Sequence, residues 1–183
     1  MSYFTAVLSR TEDGFRPLDL TVEDVADLAE LADLVDGAGD ESGDGEAVAV
    51  IEHEDEWFAF VRIVGEETAV FLSDVEAVAA SPYAELFADY LDSRPDEYEA
   101  DDLADPDEDD PEPDGDDEEE DEPQMLDFEA PPLWAGDASL FAADGVQAAE
   151  LLDQLERHSS DPARIVAHVG EAVGFAEVLE AAR

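Results

Sequence analysis

The chain has 183 residues, of which 54 are acidic and only seven are basic, giving a formal net charge of −47. Such a charge excludes electrostatic attraction to nucleic-acid phosphates or to anionic membranes, because both would repel the protein. The absence of cysteine excludes disulfide bonds, thiolate metal sites and a cysteine nucleophile, whereas an apolar share of 45% is ordinary for a folded chain.

The amino-terminal end carries no charged side chain from Met1 to Ser9, which is the longest uncharged run in the chain. This run is far shorter than the roughly 20 residues that cross a bilayer, and no basic residue precedes it as in a secretion signal. We therefore expect a cytoplasmic protein that neither spans nor binds a membrane.

A β-hairpin is predicted for the start of the chain. Side chains alternate in polarity from Tyr3 to Ser9, which is typical of a half-buried strand. Turn-forming residues follow, and Phe15–Leu20 is interpreted as a return strand. Pro17 removes a backbone donor from this second strand, so we expect it at the edge of a sheet.

An amphipathic helix is predicted next. Thr21 and Asp24 have the spacing of a capping box, and the apolar residues that follow recur at helical intervals. Gly37 and Gly39 come directly after this stretch and are typical of a helix end. The predicted helix therefore begins after Thr21 and is ended by Gly37 and Gly39.

Three short runs rich in β-branched and aromatic residues follow, and they predict an antiparallel meander. The runs are Ala47–Ile51, Trp57–Val64 and Thr68–Leu72. Both faces of the middle run are largely apolar, with Arg62 among them as a charged exception. We therefore expect a central strand that is covered on both sides.

Two further helical stretches complete the front of the chain. Ser73 and Glu76 form a second capping-box pattern and predict a short helix that ends before Pro82. Tyr83–Leu91 predicts another helical segment. Residues 1–94 are therefore interpreted as an α+β domain, with an antiparallel sheet of about five strands and two or three helices.

Residues 96–122 contain 19 acidic side chains and no basic one. This acidic tract has too little apolar surface to offset the entropy of ordering, and its charges repel one another. We predict a disordered, proline-containing acidic linker over 95–130. Its carboxylates are candidate contacts for a partner, and those singled out are Asp109, Asp110, Glu118, Glu119 and Glu120. The rest of the chain is also acidic, and adaptation to high salt and a basic partner are both open explanations.

A small helical unit is predicted for residues 131–183. Ala148–Leu155 carries an apolar stripe, Asp161 and Pro162 are typical of a helix start, and Gly174 precedes a third helix. A unit of this size is near the lower limit for independent stability. We therefore expect it to dock on the front domain or on a partner.

No pattern in the chain predicts a catalytic residue, a metal site or a cofactor site. Residues 110–121 approach the spacing of a calcium loop, but Pro111 and Pro113 break it and no amphipathic helix flanks it. His53–Glu56 offers nitrogen and oxygen ligands, but four successive turn residues rarely converge on one ion. His158–Asp161 contains the residue types of a nucleophile set, yet a helix end and a helix cap explain them.

The two tryptophans are the candidate contact residues outside the acidic tract. Trp57 begins a predicted strand, where a position in the core is more common than contact with a partner. Trp134 follows two prolines at the end of the predicted linker, where a large aromatic side chain can anchor the segment in a groove of a partner.

Several segments of the chain form a set that is more specific than any of them alone. They are Met1–Phe4, Asp55–Arg62, Val70–Asp74, Ala80–Tyr83, Gly136–Ala138 and Val173–Ala176. As a set they resemble the actinobacterial tRNA adenosine deaminase-associated protein family, at both ends of the chain but not in the acidic tract. The resemblance implies association with the enzyme that converts adenosine to inosine at the wobble position of tRNA.

The chain lacks the residues of such a deaminase. A zinc deaminase uses a His-x-Glu element and a Pro-Cys-x-x-Cys element to hold the zinc ion that activates water. His53 and Asp55 do not form the first element, and cysteine is absent. We therefore expect a protein that is not itself an enzyme.

Three functions follow as hypotheses. In the first, a non-catalytic accessory protein binds the basic surface of the tRNA adenosine deaminase, or of another basic protein, through its acidic tract. This function requires no cofactor and no direct contact with nucleic acid. In the second, the aromatic residues of the front sheet form a small-ligand or enzymatic site. In the third, the chain is an acidic module without a specific partner.

Overall fold

A six-stranded antiparallel sheet lies at the centre of the computed structural model, which describes residues 3–38, 45–53, 56–92 and 133–183. The strands, in chain order, are β1 (Tyr3–Thr11), β2 (Gly14–Leu18), β3 (Glu46–His53), β4 (Trp57–Val64), β5 (Glu67–Leu72) and β6 (Ala135–Gly136). Their order across the sheet is β2-β1-β3-β4-β5-β6. The predicted hairpin and meander are confirmed, whereas β6 was not predicted.

The position of β2 agrees with its proline. Pro17 pairs with Leu8 of β1, and β2 is the outermost strand on that side of the sheet. Because proline has no backbone N–H, it fits a strand that has only one hydrogen-bonding neighbour.

One face of the sheet packs against the helices of the front segment. These are α1 (Leu28–Ala38), α2 (Val75–Ala79) and α3 (Ala88–Asp92). Alternate residues of β4 point to this side, and the buried ones are Trp57, Ala59, Val61 and Ile63. On the opposite face of the same strand, Phe58 and Phe60 are buried in a second apolar cluster. β4 is therefore a central strand covered on both faces, as its sequence predicts.

The capping prediction for the first helix is wrong. Thr21 precedes a single 3-10 turn and makes no side-chain capping bond, and α1 begins only at Leu28. The backbone N–H of Glu30 donates to Oδ1 of Asp27 at 2.8 Å, and the Glu30 carboxylate accepts from the N–H of Ala26 at 2.8 Å. Asp27 and Glu30 thus accept hydrogen bonds from backbone N–H groups at the start of the helix. Thr21 and Asp24 were expected to have this role.

The second capping prediction is displaced by one residue. Asp74 caps α2, since its Oδ1 accepts from the N–H groups of Glu76 and Ala77 at 2.9 and 3.0 Å. The Ser73 hydroxyl instead accepts from the N–H of Phe58 in the neighbouring strand, at 2.8 Å. The helix predicted over Tyr83–Leu91 is also shorter, because the chain forms turns before α3.

The C-terminal helices cover the other face of the sheet. They are α4 (Ala148–Arg157), α5 (Pro162–Val173) and α6 (Ala176–Ala182), and the prediction of three short helices is confirmed. Asp161 caps α5 by accepting from the N–H of Arg164 at 3.1 Å, with Pro162 in the first turn. Their apolar side chains pack in one cluster with residues of the sheet that include Phe58, Phe60 and Phe71.

The front and C-terminal segments share one compact unit, formed by Met1–Arg94 and Leu133–Arg183. The sequence left open whether the C-terminal helices dock on the front domain, and in the structure they do, with β6 completing the sheet. The linker predicted over 95–130 lies outside the described residues. Among the helices that the structure describes, none has the length and apolarity needed to cross a membrane.

Candidate functional site

The candidate contact residues are distributed over three places. Asp109, Asp110 and Glu118–Glu120 belong to the acidic tract and lie outside the described residues. Trp57 begins β4 and is 1% exposed, so its side chain is part of the core under α2 and α3. Trp134 precedes β6 and remains partly exposed.

Trp57 belongs to a cluster of four rings at one end of the sheet. The ring of His53 stacks on Tyr3 with 4.2 Å between centroids, and the edge of Tyr83 meets both Tyr3 and Trp57 at 5.4 and 6.1 Å. Strands β1, β3 and β4 bring three of these side chains together, because Tyr3 pairs with His53 and His53 pairs with Trp57.

Two polar groups of this cluster are buried without a hydrogen bond. They are Nε2 of His53 and the hydroxyl of Tyr83, neither of which has a hydrogen-bond partner among the described residues. His53 is 4% exposed and its Nδ1 lies 2.6 Å from Oε2 of Glu56. Burial, and then the nearby Glu23 and Tyr3, raise the pKa of Tyr83 to about 12. Unpaired buried polar atoms are costly, which makes this cluster a candidate ligand site.

Trp134 and Leu133 occupy the edge of the sheet next to β5. The ring of Trp134 stacks on Phe71 with 5.9 Å between centroids. The carbonyl of Leu133 accepts from the N–H of Val75 at 2.8 Å, while its side chain is 48% exposed. Leu133 is thus held by its backbone and presents an apolar side chain to the outside.

A row of charges crosses the sheet on the side of the C-terminal helices. Arg10 of β1, Glu46 of β3 and Arg62 of β4 lie side by side, and Asp144 of the C-terminal segment closes the row. Arg10 reaches Oδ1 of Asp144 at 2.7 Å and Arg62 reaches Oδ2 at 2.9 Å. Arg62 also donates to the carbonyl of Leu140. The two arginines and two carboxylates balance, which makes their burial tolerable.

A further ion pair links Arg183 of the C-terminal segment to β3. Arg183 donates to Oε2 of Glu52 at 2.6 Å and lies 5.0 Å from the centre of the Phe4 ring. Glu46 and Glu52 are therefore both contacted by arginine, at the two ends of β3. Between them Val48 and Val50 point to the same face, so the C-terminal segment packs on an apolar centre with an ion pair at each end.

The exposed surface of the described unit is strongly acidic around α1. Residues 22–38 contain no basic residue. All six of their acidic side chains are exposed: Glu23, Asp24, Asp27, Glu30, Asp33 and Asp36. In the described parts of the chain, ion pairs with its own carboxylates are formed by arginines that include Arg10, Arg62, Arg157 and Arg183. Much of the positive charge thus compensates acids of the chain itself, and the surface field is negative.

Within the described parts of the chain, the structure shows no group of three or more histidine, cysteine or acidic residues placed to hold a metal ion. His53 and Glu56 do approach each other, but as a pair. The calcium-like spacing of residues 110–121 lies outside the described residues. His158 ends α4 and Asp161 caps α5, as the sequence predicts.

Sequence reasoning missed Tyr3, Tyr83 and most of the charge row. The one sequence signal for the charge row was Arg62, a charged residue on a strand face that is otherwise apolar. A charge in such a position requires a carboxylate partner. Its partners Glu46 and Asp144 are far away in the sequence, so no local pattern could identify them.

Comparison with known protein families identifies the family of the chain. The family described as Rv3753c-like tRNA adenosine deaminase-associated protein matches residues 3–118. The match includes β1–β5 and α1–α3 and ends before β6, so the C-terminal motifs of the resemblance lie outside it. No curated protein and no solved structure matches this chain. Since the match spans more than half of the sequence, the chain belongs to the family of Rv3753c-like tRNA adenosine deaminase-associated proteins.

Proposed function

We propose that this protein is a non-catalytic, cytoplasmic accessory protein that binds the tRNA adenosine deaminase through its acidic tract. Membership of a family described by its association with that enzyme is the observation that carries the proposal. The deaminase acts on a polyanion and therefore offers positive charge, to which a chain of net charge −47 is complementary.

The acidic tract is the element proposed to make the contact. Its 19 carboxylates in 27 residues make it a polyanion, as the phosphate backbone of tRNA is. A basic surface that holds tRNA would attract the tract, and the tract would compete there with tRNA. Because such an attraction is electrostatic, its strength falls as salt rises.

A charge-matched pair of variants tests the proposal. One variant changes Asp109, Asp110 and Glu118–Glu120 to the corresponding amides. The control removes five charges from exposed acids of the described unit: Asp24, Asp33, Asp36, Glu171 and Glu177. Binding of the full-length proteins to purified deaminase is measured by calorimetry at low salt and at about 0.15 M salt.

We expect the tract variant to bind about tenfold more weakly at low salt and the control to bind like the wild type. Equal losses in both variants would show that only net charge matters, which fits an acidic module without a specific partner. If the wild-type protein does not bind the deaminase, or binds with no dependence on salt, the proposed function is wrong.

A small-ligand site in the front sheet is the second candidate function. The unpaired Nε2 of His53 and hydroxyl of Tyr83, buried beside Trp57, favour it. Native mass spectrometry of protein isolated from its own cytosol would detect a bound small molecule as added mass. A mass equal to that of the polypeptide alone, in protein that remains folded, would argue against this candidate.

A further inference from the structure

Helix α1 carries a row of acidic side chains with no positive charge beside them. The row consists of Glu30, Asp33 and Asp36, which are spaced three residues apart. All three side chains are exposed, and none of them makes an ion pair with another described residue. Residues three apart are neighbours on a helix, so the like charges of this row repel one another and destabilise α1.

The two ends of α1 differ in how their charges meet the helix dipole. At the start, Asp27 and Glu30 each accept a hydrogen bond from a backbone N–H group at 2.8 Å, and negative charge is favourable there. The last turn contains Asp36 and no basic residue. Because the carboxyl end of a helix is itself partly negative, the second half of α1 carries uncompensated repulsion.

Few apolar side chains attach α1 to the rest of the fold. Among its 11 residues only Leu31 and Val35 are buried, and Leu28 and Ala32 are partly buried against the same cluster. An element with few buried apolar contacts opens locally at a low free energy. A modest electrostatic penalty therefore changes how often α1 opens.

Helix α4 has a comparable length but balanced charges. Asp153 lies 2.8 Å from Arg157, and Glu150 lies 3.1 Å from Nε2 of His168 in α5. Salt screens attraction and repulsion alike, so it weakens the pairs of α4 and relieves the repulsion within α1. The two helices should therefore respond differently to ionic strength.

We propose that α1 is an ionic-strength-sensitive element of the fold, which opens more often at low salt while the sheet and the C-terminal helices stay folded. Mobile cations that gather around the acidic row reduce the repulsion and stabilise the closed helix. Opening uncovers the part of the core on which Leu31 and Val35 pack. This response is independent of the proposed function and has the opposite sign, because binding through the acidic tract weakens as salt rises.

Hydrogen–deuterium exchange of the full-length protein at about 0.02 M and about 0.5 M NaCl tests this response. Protection of α1 and of α4 is expressed relative to free peptides of the same sequences in the same buffers, because salt also alters the chemical rate of exchange. We expect the protection of α1 to rise about fivefold with salt and that of α4 to change by less than about twofold. If α1 gains no protection, or if α4 gains as much, the proposal is wrong.

Two full-length variants, each lacking two acids, assign the effect to the row. Asp33→Asn with Asp36→Asn shortens the row and leaves the cap of α1 intact, and Asn and Asp have similar helix propensities. The control, Glu171→Gln with Glu180→Gln, removes two exposed acids from α5 and α6. We expect the first variant to raise the protection of α1 at low salt about fivefold and the control to match the wild type. Equal gains would assign the response to net charge and would overturn the role of the row.

Discussion

Asp144 is the residue on which both arginines of the partly buried charge row converge. Its carboxylate binds Arg10 through one oxygen and Arg62 through the other, and its side chain is 8% exposed. Removing one partner from such a row leaves positive charge that is poorly solvated. The pairs Asp144 makes are therefore more important for stability than ion pairs on the open surface.

The substitution Asp144→Asn should lower the free energy of unfolding by about 2–4 kcal/mol, because two guanidinium groups lose a buried counter-charge. The matched control is Asp153→Asn, which removes an acid that is 43% exposed and paired with Arg157 one helical turn away. The control should change stability by less than about 0.5 kcal/mol. Urea unfolding of both variants measures this, and equal losses would contradict a structural role for the row.

Tyr83 gives the stability of the fold a dependence on alkaline pH. Its pKa is about 12 in the folded protein against an ordinary value of 10.0. Below pH 10 the hydroxyl is neutral in both states and its contribution is constant. Between these pKa values only the unfolded chain loses the proton, so stability falls as pH rises, by about 1.4 kcal/mol per unit.

The variant Tyr83→Phe lacks this proton and should lose less stability than the wild type between pH 9 and pH 11.5. At pH 8 it should be as stable as the wild type or more stable, since an unpaired buried hydroxyl is removed. Denaturant unfolding at the three pH values makes the comparison. Parallel loss of stability in both proteins would mean that Tyr83 titrates normally.

Among the elements, β6 has only two residues, yet its pairing with β5 joins the C-terminal segment to the sheet. Gly136 pairs with Phe71 and adopts a φ of +94°. A Cβ atom built on it would lie 2.0 Å from the carbonyl oxygen of Val70. The backbone of β6 can approach β5 this closely only with glycine at this position.

Two glycine variants distinguish the cost of a positive φ from the cost of the close approach between β6 and β5. Gly136→Ala should lower the free energy of unfolding by more than about 3 kcal/mol, because β6 must move away from β5. Gly145→Ala has a similar φ of +102° but no neighbouring atom within 4 Å of the new Cβ. It should cost only about 1–2 kcal/mol. Thermal unfolding of both variants tests this, and similar losses would show that the approach to Val70 does not matter.

The elements differ in how well the sequence predicts them. Alternation located β1, and aromatic and β-branched runs located β3, β4 and β5, because each strand carries its pattern within itself. β6 has no periodicity over two residues, and the caps at Asp27 and Asp74 compete with equally plausible residues nearby. The ring cluster and the charge row join residues from distant strands, so they depend on register, which the sequence does not show.

At the scale of the whole molecule, two acidic segments are packed together. Residues 1–94 carry 24 acids and four arginines, and residues 133–183 carry nine acids and three arginines, so both are net negative. Apolar burial opposes the repulsion, and ion pairs from Arg10, Arg62 and Arg183 cross between the segments. We therefore expect the C-terminal helices to fold together with the sheet, and not as a separate domain that the acidic tract tethers.

Cutting the chain within 95–132 distinguishes a single folding unit from two independent domains. A protease site inserted there allows the folded full-length protein to be nicked and then examined by size-exclusion chromatography. We expect the two fragments to elute together in native buffer and to separate only in denaturant. Their dissociation would expose the apolar face that carries Phe58, Phe60 and Phe71, and burying such side chains contributes about 1.5–3 kcal/mol each. Fragments that separate in native buffer and stay folded would show that the front and C-terminal segments are independent domains.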